Sequence, residues 1–439
     1  MKRTIALCCV ALCSLAVFAG GTKEGAPAST AKQEVKEVST VCRASYANEE
    51  WYNTMNADFE KETGIHVNVF PTPGNDDDHV TKVNVDLLAG GTFDVVQSLG
   101  PKTYYDRVDA KFFAPLKELV AKAGVDASAV WGTYLPADEK GEYYGIPLKQ
   151  ELYCVFYNKN IFDAAGVAYP SGAWTWDDYV ATAKKLTDPS KGIYGSFMNA
   201  DNPWMYMPAR QQNIPLYKED GTCNFDAPAF AESAKWYHDI STVNKYQPSV
   251  AELNAENASW NYYALAGDHL AMFPQGNWFT RLLNSQTDYP KDWNYGVAPM
   301  PGAGKNGNNN LVSMAYVSIN KNAAHPDAAL RYALWVGQNQ WKYEGGIPAL
   351  ASLTEEEQDK VFSSIADASH GQVTVSELYE NMMHTGLGVA QSDIVGPAAG
   401  EYNAIVKEEL QSYDMDLQTL DQAIAKIVSR VNEAIKNAQ

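Results

Sequence analysis

The chain has 439 residues, of which 46% are hydrophobic and 20% charged, a balance that excludes a disordered protein, a collagen and a small disulfide scaffold. That length holds two or three domain-sized units, each able to bury a core. Asp and Glu number 53 against 34 Lys and Arg, for a net charge of −19, so the chain lacks the clustered cations a phosphate backbone needs and no nucleic acid is expected as a partner.

Residues 1–19 read as a secretory signal: Lys2 and Arg3 form a basic start, and Ile5 to Phe18 an apolar run too short for a stable membrane span. Val17-Phe18-Ala19 puts small residues where a signal peptidase cleaves, after Ala19. A rival reading makes Cys13 a lipid-modified N-terminus, on an apolar stretch of about nine residues with Leu12 where a small residue is expected. Residues 20–36 are polar, small and unpatterned, a flexible tether. No later stretch is apolar for long enough to span a membrane.

Val38–Arg43 is expected as a first strand, followed by a helix over Glu50–Thr63 with Trp51, Met55 and Phe59 on one face and Gly64 as its stop. Ile65–Phe70 is the next strand, Val80–Ala89 a helix ended by Gly90-Gly91, and Phe93–Val96 a short buried strand. Alternating strands and helices of this kind imply a parallel sheet with helices on its faces. Leu152–Tyr157 is a continuous apolar run, expected as a strand buried on both faces. Trp176–Leu186 is an amphipathic helix whose cap Thr175 pairs with Asp178 in a capping box. Further helices are expected over Phe230–Val243 and Asn277–Leu283, with a strand at Met314–Ile319. Pro326 opens a helix running to Val336, with Gly337 as its stop. Leu417, Leu420, Ile424, Ile427, Val431 and Ile435 form one stripe of a packed C-terminal helix.

Several motifs fail on context. Gly302 to Gly307 spells G-x-G-x-x-G, but prolines precede it and Asn308-Asn309-Asn310 follows, so a surface loop is the expected state rather than a dinucleotide turn. Asn306 stands where a phosphate-binding loop needs Ser or Thr. Asp76-Asp77-Asp78-His79 precedes a helix and is read as serving its N-terminal dipole rather than a cation. The seven histidines lack zinc-binding spacing, and no G-x-S-x-G elbow is present. Beyond the signal only Cys42, Cys154 and Cys223 remain, enough for at most one internal disulfide; buried free thiols are expected.

A series of segments carries a family resemblance. Phe59-Glu60-Lys61-Glu62-Thr63-Gly64-Ile65 comes first, then Leu87 to Val96 with Phe93 in place of a usual proline. Tyr144-Gly145-Ile146-Pro147, Tyr157-Asn158-Lys159 and Thr175-Trp176-Asp177-Asp178 follow. Gly267 to Met272, Gly276-Asn277-Trp278 and Tyr295 to Pro301 complete the series. In this order, over about residues 40 to 350, they resemble the extracellular solute-binding proteins of sugar ABC transporters, the family that includes maltose-binding protein.

The resemblance implies an α/β, two-lobe periplasmic-binding-protein fold (type II), with a ligand cleft between lobes joined by hinge crossovers. Lobe 1 would take 37–148 plus about 312–340, and lobe 2 would take 149–311 plus about 341–439. It implies a monomer that closes on a carbohydrate ligand without chemistry or cofactor and presents it to permease subunits in the membrane. Such a cleft wants aromatic rings for the C–H face of a sugar and charged groups for its hydroxyls. Positions matching the family's ligand contacts are Trp278, a second-lobe tryptophan, Glu151, a hinge-side carboxylate, and Trp204 with Asn202, in an acid-Pro-aromatic segment where Asn202 replaces the acid. Gln97 and Ser98 follow the third strand and are expected to reach the cleft with Tyr104; Tyr46, Glu49 and Trp51 lie in or beside the first strand-helix loop; Gly345 and Gly346 open a late loop whose backbone would meet the ligand. Trp176, Trp236 and Trp335, on amphipathic helices, are read as packing residues, and Glu151 has a structural ion pair as its bland alternative.

The alternatives are the same fold holding a glycerol phosphodiester or a polyamine, and a secreted glycoside hydrolase with Glu151 and a second acid.

Overall fold

The computed structural model describes residues 37–438, save 75, 92, 139, 256–268, 287–288, 303–308, 384 and 393. The segments expected as signal and tether, and most of the glycine-rich segment after Gly302, therefore lie outside the described residues. Among the described residues no helix is long and apolar enough to cross a membrane.

The first strands form where β-branched residues cluster. Strand β1 (Glu37–Arg43) pairs in parallel with β2 (His66–Thr72) on one side and with β3 (Val95–Ser98) on the other. The helices Glu50–Thr63 and Asp76–Leu88 make the crossovers. Gly64 ends the first helix at φ 70°, a left-handed conformation that costs glycine little. Its buried face is Tyr52, Met55, Asn56 and Phe59, which leaves Trp51 half-buried at the edge. The helix Asp76–Leu88 begins on its acids, as a helix dipole favours, and His79 is buried beside Thr72 at 2.6 Å.

The molecule turns on β4 (Ile146–Asn158), thirteen residues long. Its first half pairs antiparallel with β7 (Asn309–Ile319), which in turn pairs with β3. Its second half leaves β7 and lies between β5 (Met272–Gly276) and β6 (Tyr295–Pro299), antiparallel to both. The short β8 (Ile347–Pro348) adds to Lys149 and Gln150, and β9 (Gly388–Gln391) lies parallel to the start of β7. One strand thus belongs to two sheet regions. The parallel sheet expected from the first strands is present, but β7 enters it antiparallel from late in the chain.

The cores follow the same division. Val41, Val83, Phe93, Val96 and Tyr104 cluster with Met314 and Tyr316 of β7. Leu152, Phe156, Phe273, Phe279 and Trp293 form a second cluster with Trp341 and Phe362. A third joins Trp176, Trp204, Tyr237 and Tyr402 with Ile427 and Val431. Cys42, Cys154 and Cys223 are buried and free. The capping box of Thr175 and Asp178 opens the helix Trp176–Leu186 as the sequence predicts. The expected helix at Phe230 runs over Pro228–His238 and continues as a wider turn to Val243.

Two expectations are corrected. Gly337 does not stop its helix, which continues over Pro326–Glu344 to the left-handed Gly345. Gly337 is instead a packing residue: a Cβ there would press on Ile146 and on the Pro147 carbonyl. The last helix covers Leu420–Ala438 and buries Ala423, Ile427, Val431 and Ile435, while Leu417 is exposed ahead of it.

Candidate functional site

The central feature is a buried ammonium held by two carboxylates. Side chains alternate along a strand, so Lys149 and Glu151 share one face of β4. Lys149 Nζ lies 3.0 Å from Glu151 Oε1 and 2.6 Å from Glu344 Oε1, with side-chain exposures of 9%, 15% and 6% in that order. Glu344 is the last residue of its helix, delivered there because that helix runs past Gly337. Tyr46 donates its hydroxyl to Glu344 Oε1 at 3.1 Å, and Gln340 donates to Oε2 at 3.1 Å. Glu151 Oε2 is buried with no hydrogen-bond partner among the described residues.

The charges divide unequally. Burial alone would lower the Lys149 ammonium, but Glu151 and Glu344 together hold it well above the ordinary lysine range. Burial pushes Glu344 up, yet the attraction and hydrogen bond of Lys149 and the Gln340 amide outweigh it, so Glu344 stays below the usual carboxylate range. Glu151 is the opposite case: burial, with Glu344 adding to it, lifts its carboxyl despite Lys149.

A second group adjoins this one. Arg281, on the helix Phe279–Asn284, reaches Glu49 Oε1 at 2.6 Å, and Glu49 Oε2 accepts the Trp51 indole N–H at 2.7 Å. The Trp51 ring meets Tyr46 edge-on at 5.1 Å, and the Arg43 guanidinium lies 4.3 Å over the Tyr46 ring. Arg281 also acts electrostatically on Tyr46, Glu151 and Glu344. Glu49 and Arg281, 232 positions apart in sequence, therefore share one polar cluster.

Of the positions named from sequence, Tyr46, Glu49, Trp51 and Glu151 come together here. Gly345 and Gly346 follow Glu344 directly, and Gly346 packs beside the Lys149 stem. Trp278 sits three residues before Arg281, half-buried against Phe279 with ring centroids 5.7 Å apart.

The others are engaged inside the protein. The Gln97 amide donates to Gln340 at 2.9 Å, linking it to the cluster through Glu344. Ser98 Oγ accepts from the buried Arg107 at 3.0 Å. Tyr104 is 1% exposed, packed on Tyr316 at 4.3 Å, with its hydroxyl accepting from the Tyr144 N–H. Asn202 donates to the backbone and side chain of Asn403. Trp204 is 3% exposed, its ring 5.3 Å from that of Tyr153.

Lys149, Glu344 and Arg281 were missed. Lys149 is legible as the residue two before Glu151, on the same face of one strand. Nothing local marks Glu344 or Arg281.

Comparison with known proteins places the chain. The family model described as bacterial extracellular solute-binding protein matches residues 44–343. An arabinooligosaccharide-binding protein of Halalkalibacterium halodurans is 28% identical over 152 residues, 34% of this chain and 33% of that relative, so this match spans about a third of the relative's length. A Brucella abortus protein described as a binding protein is 23% identical over 408 residues, covering 84% of this chain and 93% of its own. An ABC substrate-binding protein from Listeria monocytogenes, solved in complex with cycloalternan, has the same fold at TM-score 0.77 and 21% identity, covering 92% of this chain and 100% of that one. With the long strand shared between two sheet regions, these matches define the type II binding-protein architecture, and the chain belongs to the bacterial extracellular solute-binding proteins.

Proposed function

We propose that this protein is the substrate-binding component of an ABC importer, which captures a sugar or oligosaccharide by lobe closure and delivers it unchanged to a membrane permease. Residues 37–148 with about 312–340 form one lobe, and 149–311 with about 341–439 the other. The division of the hydrophobic clusters at β4 and β7 supports this. The signal over 1–19 exports it, and the protein acts outside the cytoplasm as a monomer, on the tether of 20–36 or a lipid at Cys13.

The observation that carries the reading is the buried Glu151 Oε2, which has no hydrogen-bond partner among the described residues, beside a cluster in which cations and carboxylates are matched in number. Lys149, Arg281 and Arg43 stand against Glu49, Glu151 and Glu344. A phosphodiester would need surplus cations and a polyamine surplus carboxylates; a neutral polyol needs neither. Its hydroxyls donate to carboxylate oxygens in charge-assisted bonds about twice as strong as neutral ones, and half-buried Trp51 and Trp278 offer flat faces for its C–H groups. The carbohydrates named for two of the relatives fit the same chemistry. Binding without turnover is part of this reading, and the family's description as solute-binding proteins and the contacts of Glu151 and Glu344 with the Lys149 ammonium support it.

A thermal-shift screen against mono- and oligosaccharides, with glycerophosphocholine and spermidine as further arms, tests the reading. A true ligand at 100 times its Kd should add about 2.7 kcal/mol. Stabilisation by either further arm and by no sugar would overturn it, and release of reducing sugar would make the protein an enzyme.

A further inference from the structure

The proposal rests on the sugar-binding reading and concerns which rings meet the sugar. Tyr153 stands two residues after Glu151, so alternation puts its ring on the same face of β4 as Glu151 and Lys149. The Lys149–Glu151 contact confirms that face for the preceding pair. Directly opposite Tyr153, across the β4–β5 pairing, is Gly276. Opposed residues of an antiparallel pair project to the same side. A Cβ added to Gly276 would collide with the indole nitrogen edge of Trp278, so that edge occupies the place of a Gly276 side chain, across the strand pairing from Tyr153.

The position is fixed by Asn277. Its N–H donates to the Leu152 carbonyl at 2.8 Å, and its side-chain oxygen accepts from the Leu152 N–H at 2.9 Å. This clamps the end of β5 to β4 and holds Trp278 against the strand. Behind Tyr153 lies Trp204, edge-on at 74° and 3% exposed. Tyr153 itself is half-buried. The ring with solvent access is therefore Tyr153, and Trp204 supports it from the core.

We infer that Tyr153 and Trp278 form one aromatic corner on the Glu151 face of β4, and that Tyr153, rather than Trp204, covers the apolar face of a sugar ring whose hydroxyls reach Glu151. Gly276 is the residue that makes room for the corner. The expected ligand is a cyclic sugar with an unsubstituted C–H face.

The test measures the Kd of the full chain by titration calorimetry for raffinose, arabinotriose and maltotriose. For the sugar the wild-type protein binds, Tyr153→Ala should weaken binding about three- to tenfold, the range of an aromatic contact beyond area burial. Tyr153→Phe should stay within about twofold, because the face and not the hydroxyl is used, and Gly276→Ala should weaken binding by displacing Trp278. If Tyr153→Ala does not fold by circular dichroism, Tyr153→Leu, which fills the site without a flat face, carries the same expectation. Unchanged affinity in Tyr153→Ala or Leu, or a loss in Tyr153→Phe equal to that of Ala, overturns the inference and leaves the sugar reading standing. If the wild-type protein binds none of the three and no other sugar of the thermal-shift screen, the sugar reading and this inference fall together.

Discussion

Replacing Lys149 by Met should lower stability by about 3–5 kcal/mol at pH 8, the range for breaking a buried ion pair by removing one partner. The structure gives the reason. One ammonium lies 3.0 Å and 2.6 Å from two carboxylates, and none of the three side chains is more than 15% exposed. Methionine keeps the stem but leaves Glu151 and Glu344 facing each other without a cation. The variant can relieve this by protonating Glu151, whose carboxyl burial already lifts above its ordinary 4.5. An acid with a raised folded pKa carries its penalty fully above that pKa and loses it as pH falls toward the unfolded value. The deficit should therefore shrink between pH 8 and pH 5. Adding Glu344→Gln in the Met background should recover about 1–2 kcal/mol, since it removes the repulsion and keeps an acceptor for Tyr46. Urea unfolding followed by circular dichroism at both pH values measures each quantity. A deficit below about 1 kcal/mol at pH 8, or one that is the same at pH 5, would refute the view that these three charges form one buried unit.

Gly337→Ala, which in an open mid-helix site gains about 1 kcal/mol, should here cost about 1–3 kcal/mol because the methyl meets Ile146 and the Pro147 carbonyl; a raised thermal midpoint would contradict this. Burial pushes the Asp201 carboxyl up to about 6, with Lys407 pulling against it. Its cost is thus full above pH 6 and gone below about 3.8, so Asp201→Asn should stabilise by about 1–2 kcal/mol at pH 8 after discounting for partial exposure, and by less than about 0.5 kcal/mol at pH 4. Equal thermal midpoint differences at the two pH values would argue against that origin. The Glu49–Arg281 pair, 29% and 41% exposed, joins the first strand-helix connection to the helix Phe279–Asn284, so Arg281→Met should weaken sugar binding by about 0.2–1 kcal/mol and remove most of its dependence on ionic strength. A neutral ligand whose affinity is insensitive to salt in the wild-type protein would count against a role for that pair in closure.

The amino-acid sequence alone determined what local rules govern. β-branched runs placed β1 and β3, glycine after an amphipathic stretch ended the helix at Gly64, and Thr175 with Asp178 capped the next, because each depends on residues within one or two turns. Motif order identified the fold, and with it the neighbourhood of Glu151, Glu49 and the Gly345-Gly346 turn. Tertiary structure decided the rest. Gly337 has a stop signal's composition, yet its helix continues because the missing side chain lets it lie against β4 and carry Glu344 to Lys149. Trp204 and Tyr153 differ little as letters, but packing buries the first behind the second. Arg281 meets Glu49 only because β4 runs through both sheet regions and brings distant elements into contact. Charges and rings acquire a role through neighbours supplied by other parts of the chain, and no local pattern records which neighbours those will be.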